Sequence, residues 1–446
     1  MKDEQSRGVT RRSALTLLSA GAATLAAPTL LEAQSETLQP VSRPEELGFD
    51  VARLERLTSF FARDAEAGRL PGAVVLIARH DKVAYLRAVG YQDREAGIPM
   101  KPDSIFRIAS MTKPVVSVAA MMLVEEGKLD LAAPVFQYLP EFRDLQVRVD
   151  QSNAGGRNAE VILEPQRRPM TVQDLMRHTS GLVYPPPLGQ GPVPNAYREA
   201  DLLNRNETLV EMVTKLSKLP LAHQPGEVWD YSIATDVLGR VIEVASGEDL
   251  EHFIESHITK PLGMDSTGFS VKETDRNRIS QPDKDPVTGQ RPPMFDPATK
   301  PKRFSGGSGL VSTAGDYLRF CQPLMYGGTF GTTRLLSPST VSLMTANALK
   351  PGIGYTTTIS LFQDIAPTPA MGQGFGLGFA VRTEAGQNPL PGSVGSFYWS
   401  GAFGTTFYVD PVKQLIIILL IQLPFGPRIS PYRWIVRSLA YQALVA

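Results

Sequence analysis

Ile108-Ala109-Ser110-Met111-Thr112-Lys113-Pro114 holds the chain's only Ser-x-x-Lys spacing. The run that follows, Val115 to Glu126, is apolar with small residues and stops at Gly127. That is the pattern of a buried helix with a C-terminal glycine cap. Pro114 fits only the first turn of such a helix. Ser110 therefore stands at a helix N-terminus with Lys113 one turn on. Residues i and i+3 share a helix face, so the lysine can reach the serine hydroxyl. Burial and the positive end of the helix dipole both disfavour a charged lysine there, and a partly neutral lysine can take the serine proton. A serine and a lysine three apart also arise by chance in a long chain, so the pair needs support from elsewhere.

The 446 residues are 42% apolar and 20% charged, with 45 basic and 45 acidic side chains. This is a globular composition with room for two or three core-bearing units. The charge balance leaves no basic footprint for nucleic acid and no acidic cation-binding tail. Cys321 is the single cysteine, so no internal disulfide forms; its surroundings read as a helix interior and a buried structural thiol. None of the five histidines has metal-site spacing, and neither a metal nor a cofactor is expected. Thr10-Arg11-Arg12-Ser13-Ala14-Leu15 resembles a twin-arginine export signal and leads into a weakly apolar stretch broken by Pro28. A cleaved signal over residues 1–33 is expected rather than a membrane anchor. A periplasmic or secreted location follows from that expectation.

Sheet-like patterns sit at both ends of the chain and helical ones between. Leu54, Leu57, Phe60 and Phe61 predict one amphipathic helix across 45–67. Residues 72–78 and 83–91 predict a hairpin, with His80 solvated in its turn. Runs 146–149 and 160–163 predict a second, small hairpin around Asn153-Ala154-Gly155-Gly156. Thr171 is an N-cap for a short helix ending near His178. Residues 183–195, including Tyr184-Pro185-Pro186-Pro187, read as a loop bordering a cleft. Residues 270–303 are polar and aperiodic. Helices are predicted over 208–217, 232–245, 250–258, 314–324 and 432–446, and strands over 375–382, 397–399, 405–409 and 415–423. The simplest architecture is α+β: one antiparallel sheet flanked by helices, from residues 40–105 plus 305–446, with a mostly helical domain, 106–304, inserted. Ser110 then faces a cleft at the join. Tyr231, between Pro225-Gly226 and a helix, is the candidate proton shuttle for a Ser-Lys pair. A nearby lysine can lower a tyrosine's pKa.

Six stretches occur together in order: Ser110-Met111-Thr112-Lys113, Asp174 to Leu182, Pro225-Gly226 through Tyr231-Ser232, Asp236 to Gly239, Pro261-Leu262-Gly263-Met264, and Trp399-Ser400-Gly401. In this the sequence resembles the serine β-lactamase-like hydrolases, in their class C β-lactamase branch, and most closely the family VIII carboxylesterases, over about residues 45–440. The resemblance implies a β-lactamase/transpeptidase-like fold. It implies Ser110 as the acylated nucleophile, Lys113 assisting its deprotonation, and Tyr231 as general base that also activates water for deacylation. The oxyanion donors it implies are the backbone N–H groups of Ser110 and Ala402. Trp399, Ser400, Gly401 and Ile233 are the implied substrate-binding positions, and His178 a structural residue beneath the site.

Two departures from the lactamase pattern bear on substrate. Ile233 stands where lactamases carry the asparagine of Tyr-x-Asn, and Trp399 where they carry a cation; Trp-x-Gly is the esterase form. A neutral, apolar-walled site favours uncharged esters over anionic antibiotics. The expected function is a serine carboxylesterase acting on short-chain acyl esters through acyl-Ser110. A β-lactamase, or a D-amino-acid-specific peptidase or amidase, is the alternative. The expected partner is a small-molecule ester, with no nucleic acid and no stable membrane anchor.

Overall fold

Leu415–Ile421 is an unbroken run of leucine and isoleucine, and every one of its residues is buried. Such a strand must be covered on both faces, and each fully buried Leu or Ile contributes about 2 kcal/mol. The computed structural model, which describes residues 40–41, 43–150, 161–285 and 287–445, places it inside an eight-stranded antiparallel sheet. The export-signal-like segment and the Asn153–Gly156 loop lie outside the described residues.

The strands are β1 (Gly72–Arg79), β2 (Lys82–Asp93), β3 (Ile98–Pro99), β4 (Gln373–Phe375), β5 (Ala380–Arg382), β6 (Phe397–Ser400), β7 (Thr406–Asp410) and β8 (Leu415–Ile421). Their order in the sheet is β4-β5-β6-β7-β8-β1-β2-β3. The first and last parts of the chain meet at β1 and β8, with Ala73 opposite Ile421 and Ile77 opposite Ile417. β6 joins through β7, with Trp399 opposite Phe407.

Helices α1 (Val51–Glu66) and α6 (Ser430–Gln442) pack on each other and on the sheet. Helix α5 (Ala314–Met325) packs on β1, β7 and β8; it carries Cys321, a buried free thiol. Between β3 and β4 the regular structure is mainly helical, separated by long irregular stretches. There α2 (Thr112–Glu125), α3 (Val172–Met176) and α4 (Ala234–Ser246) pack α2 on α4 and α3 on α4. The small hairpin forms too, Gln146–Asp150 against Val161–Pro165.

Local signals acted as their chemistry requires. Gly127 ends α2 at φ +70°. Its N–H bonds Val124 O and that of Lys128 bonds Leu123 O, the glycine-capped ending in which both orphan carbonyls are used. Thr171 and Asp174 close a capping box on α3. Three expectations change. Residues 45–67 are interrupted: a turn at Pro44–Leu47 ends at Gly48 in the left-handed region, and α1 starts only after Asp50 caps it. The 183–195 stretch is not all loop, because Pro192 opens a helix, Pro192–Glu199, where a proline loses no helical hydrogen bond. The single strand expected over 375–382 is the end of β4, a glycine-containing turn at Gly376-Leu377-Gly378, and β5.

Candidate active site

Helix α2 delivers Ser110. The serine lies in a 3-10 turn, Ala109–Met111, that leads directly into α2. Ala109 has φ +46°, a left-handed backbone that costs an L-residue about 1–2 kcal/mol. Four hydrogen bonds hold the strained turn in place. Ile108 N–H donates to Leu310 O at 3.1 Å and Leu310 N–H to Thr112 Oγ1 at 3.1 Å; Thr405 Oγ1 donates to Ile108 O at 3.2 Å and Tyr317 Oη to Met111 O at 2.9 Å. The hydroxyl-bearing residue is partly exposed among groups that are almost wholly buried. Strain held by its surroundings in this way marks functional turns.

Lys113 is 1% exposed. Its ammonium donates to Tyr184 Oη at 3.0 Å and to the Gly307 carbonyl at 2.8 Å, and lies 4.5 Å from the centre of the Tyr231 ring. The sequence alone leads to the expectation of a partly neutral lysine. Burial does push its pKa down, but the oxygens of Tyr184 and Tyr231 outweigh burial and the net shift is upward. The Lys113 nitrogen is thus buried and held by the Tyr184 phenol oxygen and a carbonyl.

Tyr231 is 4% exposed and precedes α4. Trp399, at the end of β6, donates its indole Nε1–H to Tyr231 Oη at 3.2 Å. The tyrosine oxygen therefore has a donor on one side and the ammonium beside its ring. Around it stand Trp229, Phe362, Phe375 and His178, with ring centres 4.7–6.3 Å from Tyr231 or Trp399. Such a dry aromatic wall strengthens every electrostatic contact inside it.

His178 is buried, its backbone at φ +57°. Burial first, and then the Lys113 charge, hold its pKa well below the usual histidine range. A neutral ring at 3.2 Å from Ser232 Oγ matches the structural role expected of it. Ser400 shares a 2.8 Å hydrogen bond with Thr406 Oγ1. Ile233 is buried at the start of α4. Gly401 approaches the nucleophile turn so closely that a Cβ there would sit 2.3 Å from Ile108 O. The next residue, Ala402, is half-buried.

The structure brings Ser110, Lys113, Tyr231 and the Trp399–Ala402 segment to one region. It also adds residues the sequence did not flag. Tyr184 is the chief one: 7% exposed, it is a hydrogen-bond partner of Lys113, and burial raises its pKa. Its position before three prolines marked a loop but not a role. Gly307 supplies a backbone carbonyl, which no side-chain pattern encodes. Phe362 sits 5.0 Å from Tyr231 and 5.6 Å from Trp399, ring centre to ring centre; it lies in a 3-10 segment, Thr357–Ile365. A cavity of about 600 Å³ lies elsewhere, between the 285–293 and 424–428 loops, and holds none of these groups. Chemistry rather than volume locates the site.

The chain belongs to the beta-lactamase family, whose model matches residues 57–442. It is 32% identical over 420 residues to Esterase EstB of Burkholderia gladioli, covering 89% of this chain and 98% of that one. It is 25% identical over 421 residues to an Escherichia coli (strain K12) protein provisionally named a D-alanyl-D-alanine carboxypeptidase, covering 88% and 87% of the two chains. Among solved structures it resembles EstCE1, described as a hydrolase with promiscuous acyltransferase activity. That match has TM-score 0.70 and 27% identity over 88% of this chain and all of the other. The fold is the β-lactamase/transpeptidase-like one and the protein is a hydrolase of that family.

Proposed function

We propose that the protein is a serine carboxylesterase that cleaves short-chain acyl esters through an acyl-Ser110 intermediate. The observation that carries this is the Trp399 indole N–H bonded to the Tyr231 oxygen. A neutral aromatic donor occupies the position where lactamases hold a cation, and Ile233 offers no amide-binding group. A site walled in this way rewards uncharged substrates. The relative named Esterase EstB and the hydrolase EstCE1, with its promiscuous acyltransferase activity, support the same reading.

In the proposed reaction Ser110 Oγ bonds to the ester carbonyl carbon. Its proton passes through the Tyr231 oxygen to the departing alcohol as the carbon–oxygen ester bond breaks. Lys113 stays charged and stabilises phenolate character on Tyr231. The Ser110 and Ala402 N–H groups receive the oxyanion. Water then attacks the acyl-enzyme with the same proton relay, releasing the acid and restoring Ser110. The export-signal-like N-terminus is the basis for proposing that the substrate is met outside the cytoplasm.

The test compares p-nitrophenyl butyrate with nitrocefin, alongside intact-mass detection of an acyl adduct. Ester turnover, with an adduct lost in Ser110→Ala, is expected. Rapid nitrocefin cleavage with negligible ester turnover overturns the ester assignment. Full esterase activity in Ser110→Ala overturns the nucleophile.

A further inference from the structure

We infer that Arg433 is a positioning residue for the oxyanion site. It holds and polarises the Gly401–Ala402 peptide so that the Ala402 N–H is aimed at the developing oxyanion. The inference rests on the acyl-Ser110 reading above.

The peptide unit is planar, so the Gly401 carbonyl and the Ala402 N–H lie in one plane and point in opposite directions. Whatever grips the carbonyl from behind sets the aim of the N–H in front. Arg433 Nη2 donates to Gly401 O at 2.5 Å. The same carbonyl accepts the Gly404 N–H at 3.1 Å, and the Gly401 N–H is tied to Thr405 O at 2.8 Å. The peptide is therefore fixed on both sides of Gly401. Its close approach to Ile108 O, two residues ahead of Ser110, puts it against the nucleophile turn.

The other donor peptide is held differently. The Ala109 carbonyl, which shares a peptide with the Ser110 N–H, accepts the Thr112 N–H within the 3-10 turn. One donor peptide is thus set by neutral backbone, the other by a cation from a distant helix. A charge-assisted hydrogen bond to an amide oxygen is roughly twice as strong as a neutral one, and it polarises the amide so that its N–H donates more strongly. The arginine itself is well anchored. It lies in the first turns of α6, whose adjacent Tyr432 donates to the buried Asp64 carboxylate at 3.1 Å.

The test uses Arg433→Met, which keeps the aliphatic stem, beside Arg433→Lys and Arg433→Ala, with p-nitrophenyl butyrate and a tetrahedral-adduct inhibitor, butylboronic acid. Removing an oxyanion donor outright lowers kcat about 100- to 1,000-fold, so losing only its support should lower kcat about 10- to 100-fold in Arg433→Met. KM should stay within about twofold, since an interaction made only in the transition state lowers kcat and kcat/KM together. Boronate affinity should fall in parallel with kcat. Arg433→Lys should recover part of the loss, and added guanidinium should rescue Arg433→Ala. A folded Arg433→Met with wild-type kcat overturns the inference; so does a raised KM at unchanged kcat, which would make Arg433 a substrate contact. If Arg433→Met does not fold, Arg433→Lys decides: wild-type kcat and boronate affinity there sink the inference. Turnover surviving in Ser110→Ala would instead sink the underlying acyl-enzyme reading, which separates the two failures.

Discussion

Replacing Tyr184 by Phe removes one oxygen from the buried cluster and leaves the ring in place. The Lys113 ammonium then loses its 3.0 Å acceptor and keeps the Gly307 carbonyl and the Tyr231 face. A hydrogen bond to a charged group contributes about 1.5–3 kcal/mol, and no methyl-sized cavity opens. In a chain of this size that loss lowers Tm by about 2–4 °C. Lys113 has its pKa raised above its ordinary 10.5. The stability it contributes is therefore complete below that value and is lost as pH climbs through the folded-state pKa. The Tm gap between Tyr184→Phe and wild type should be full at pH 7–9 and narrow above about pH 10.5. If the lost interaction is felt in the transition state, 1.5–3 kcal/mol corresponds to about 10- to 150-fold in rate. A fall in kcat of about 10- to 100-fold on p-nitrophenyl butyrate is expected. Tyr197→Phe is the control, because Tyr197 is also buried but its hydroxyl donates to Pro220 O at 3.1 Å. Equal losses in both variants, or wild-type kcat in Tyr184→Phe, would refute the role given to Tyr184.

Trp399→Phe removes the indole donor to Tyr231 and should lower kcat/KM for the same ester about 5- to 30-fold, read by steady-state kinetics; an unchanged value would count against the proton-relay role proposed for Tyr231 and its indole donor. Asp174 is buried, and although burial alone would raise its pKa, Arg168, Thr171 and Arg177 bring it down to about 2. Asp174→Asn should cost about 2–4 kcal/mol at neutral pH by chemical denaturation, and the difference should disappear as pH falls from 3.8 through about 2. A gap that persists at low pH would contradict this. Phe362→Ala opens the aromatic wall beside Tyr231; if one or two of the four extra methylenes of p-nitrophenyl octanoate are buried there, its rate relative to butyrate should rise about 4- to 15-fold, since each buried methylene contributes about 0.8 kcal/mol. No change in that ratio would mean that Phe362 does not border the bound acyl chain.

The sequence by itself determined the parts whose information is local. The period-two and period-3.6 patterns set the strands and helices, and the Leu415–Ile421 run declared a doubly covered strand. Gly127, Thr171 and Pro114 set helix ends through backbone chemistry that acts within a few residues. Ser110, Lys113 and Tyr231 could be named because their motifs are short and ordered along the chain. Tertiary structure decided what those residues do to one another. The acceptors of Lys113 are Tyr184, 71 residues away, and the Gly307 carbonyl, 194 residues away; no local rule could bring those oxygens to it. The Trp399 donor to Tyr231 spans 168 residues. Helix dipole and burial, the two locally legible effects, favour a partly neutral lysine. The folded chain surrounds it with acceptors, and electrostatic balance in a dry interior is a sum over neighbours that only the fold brings within reach.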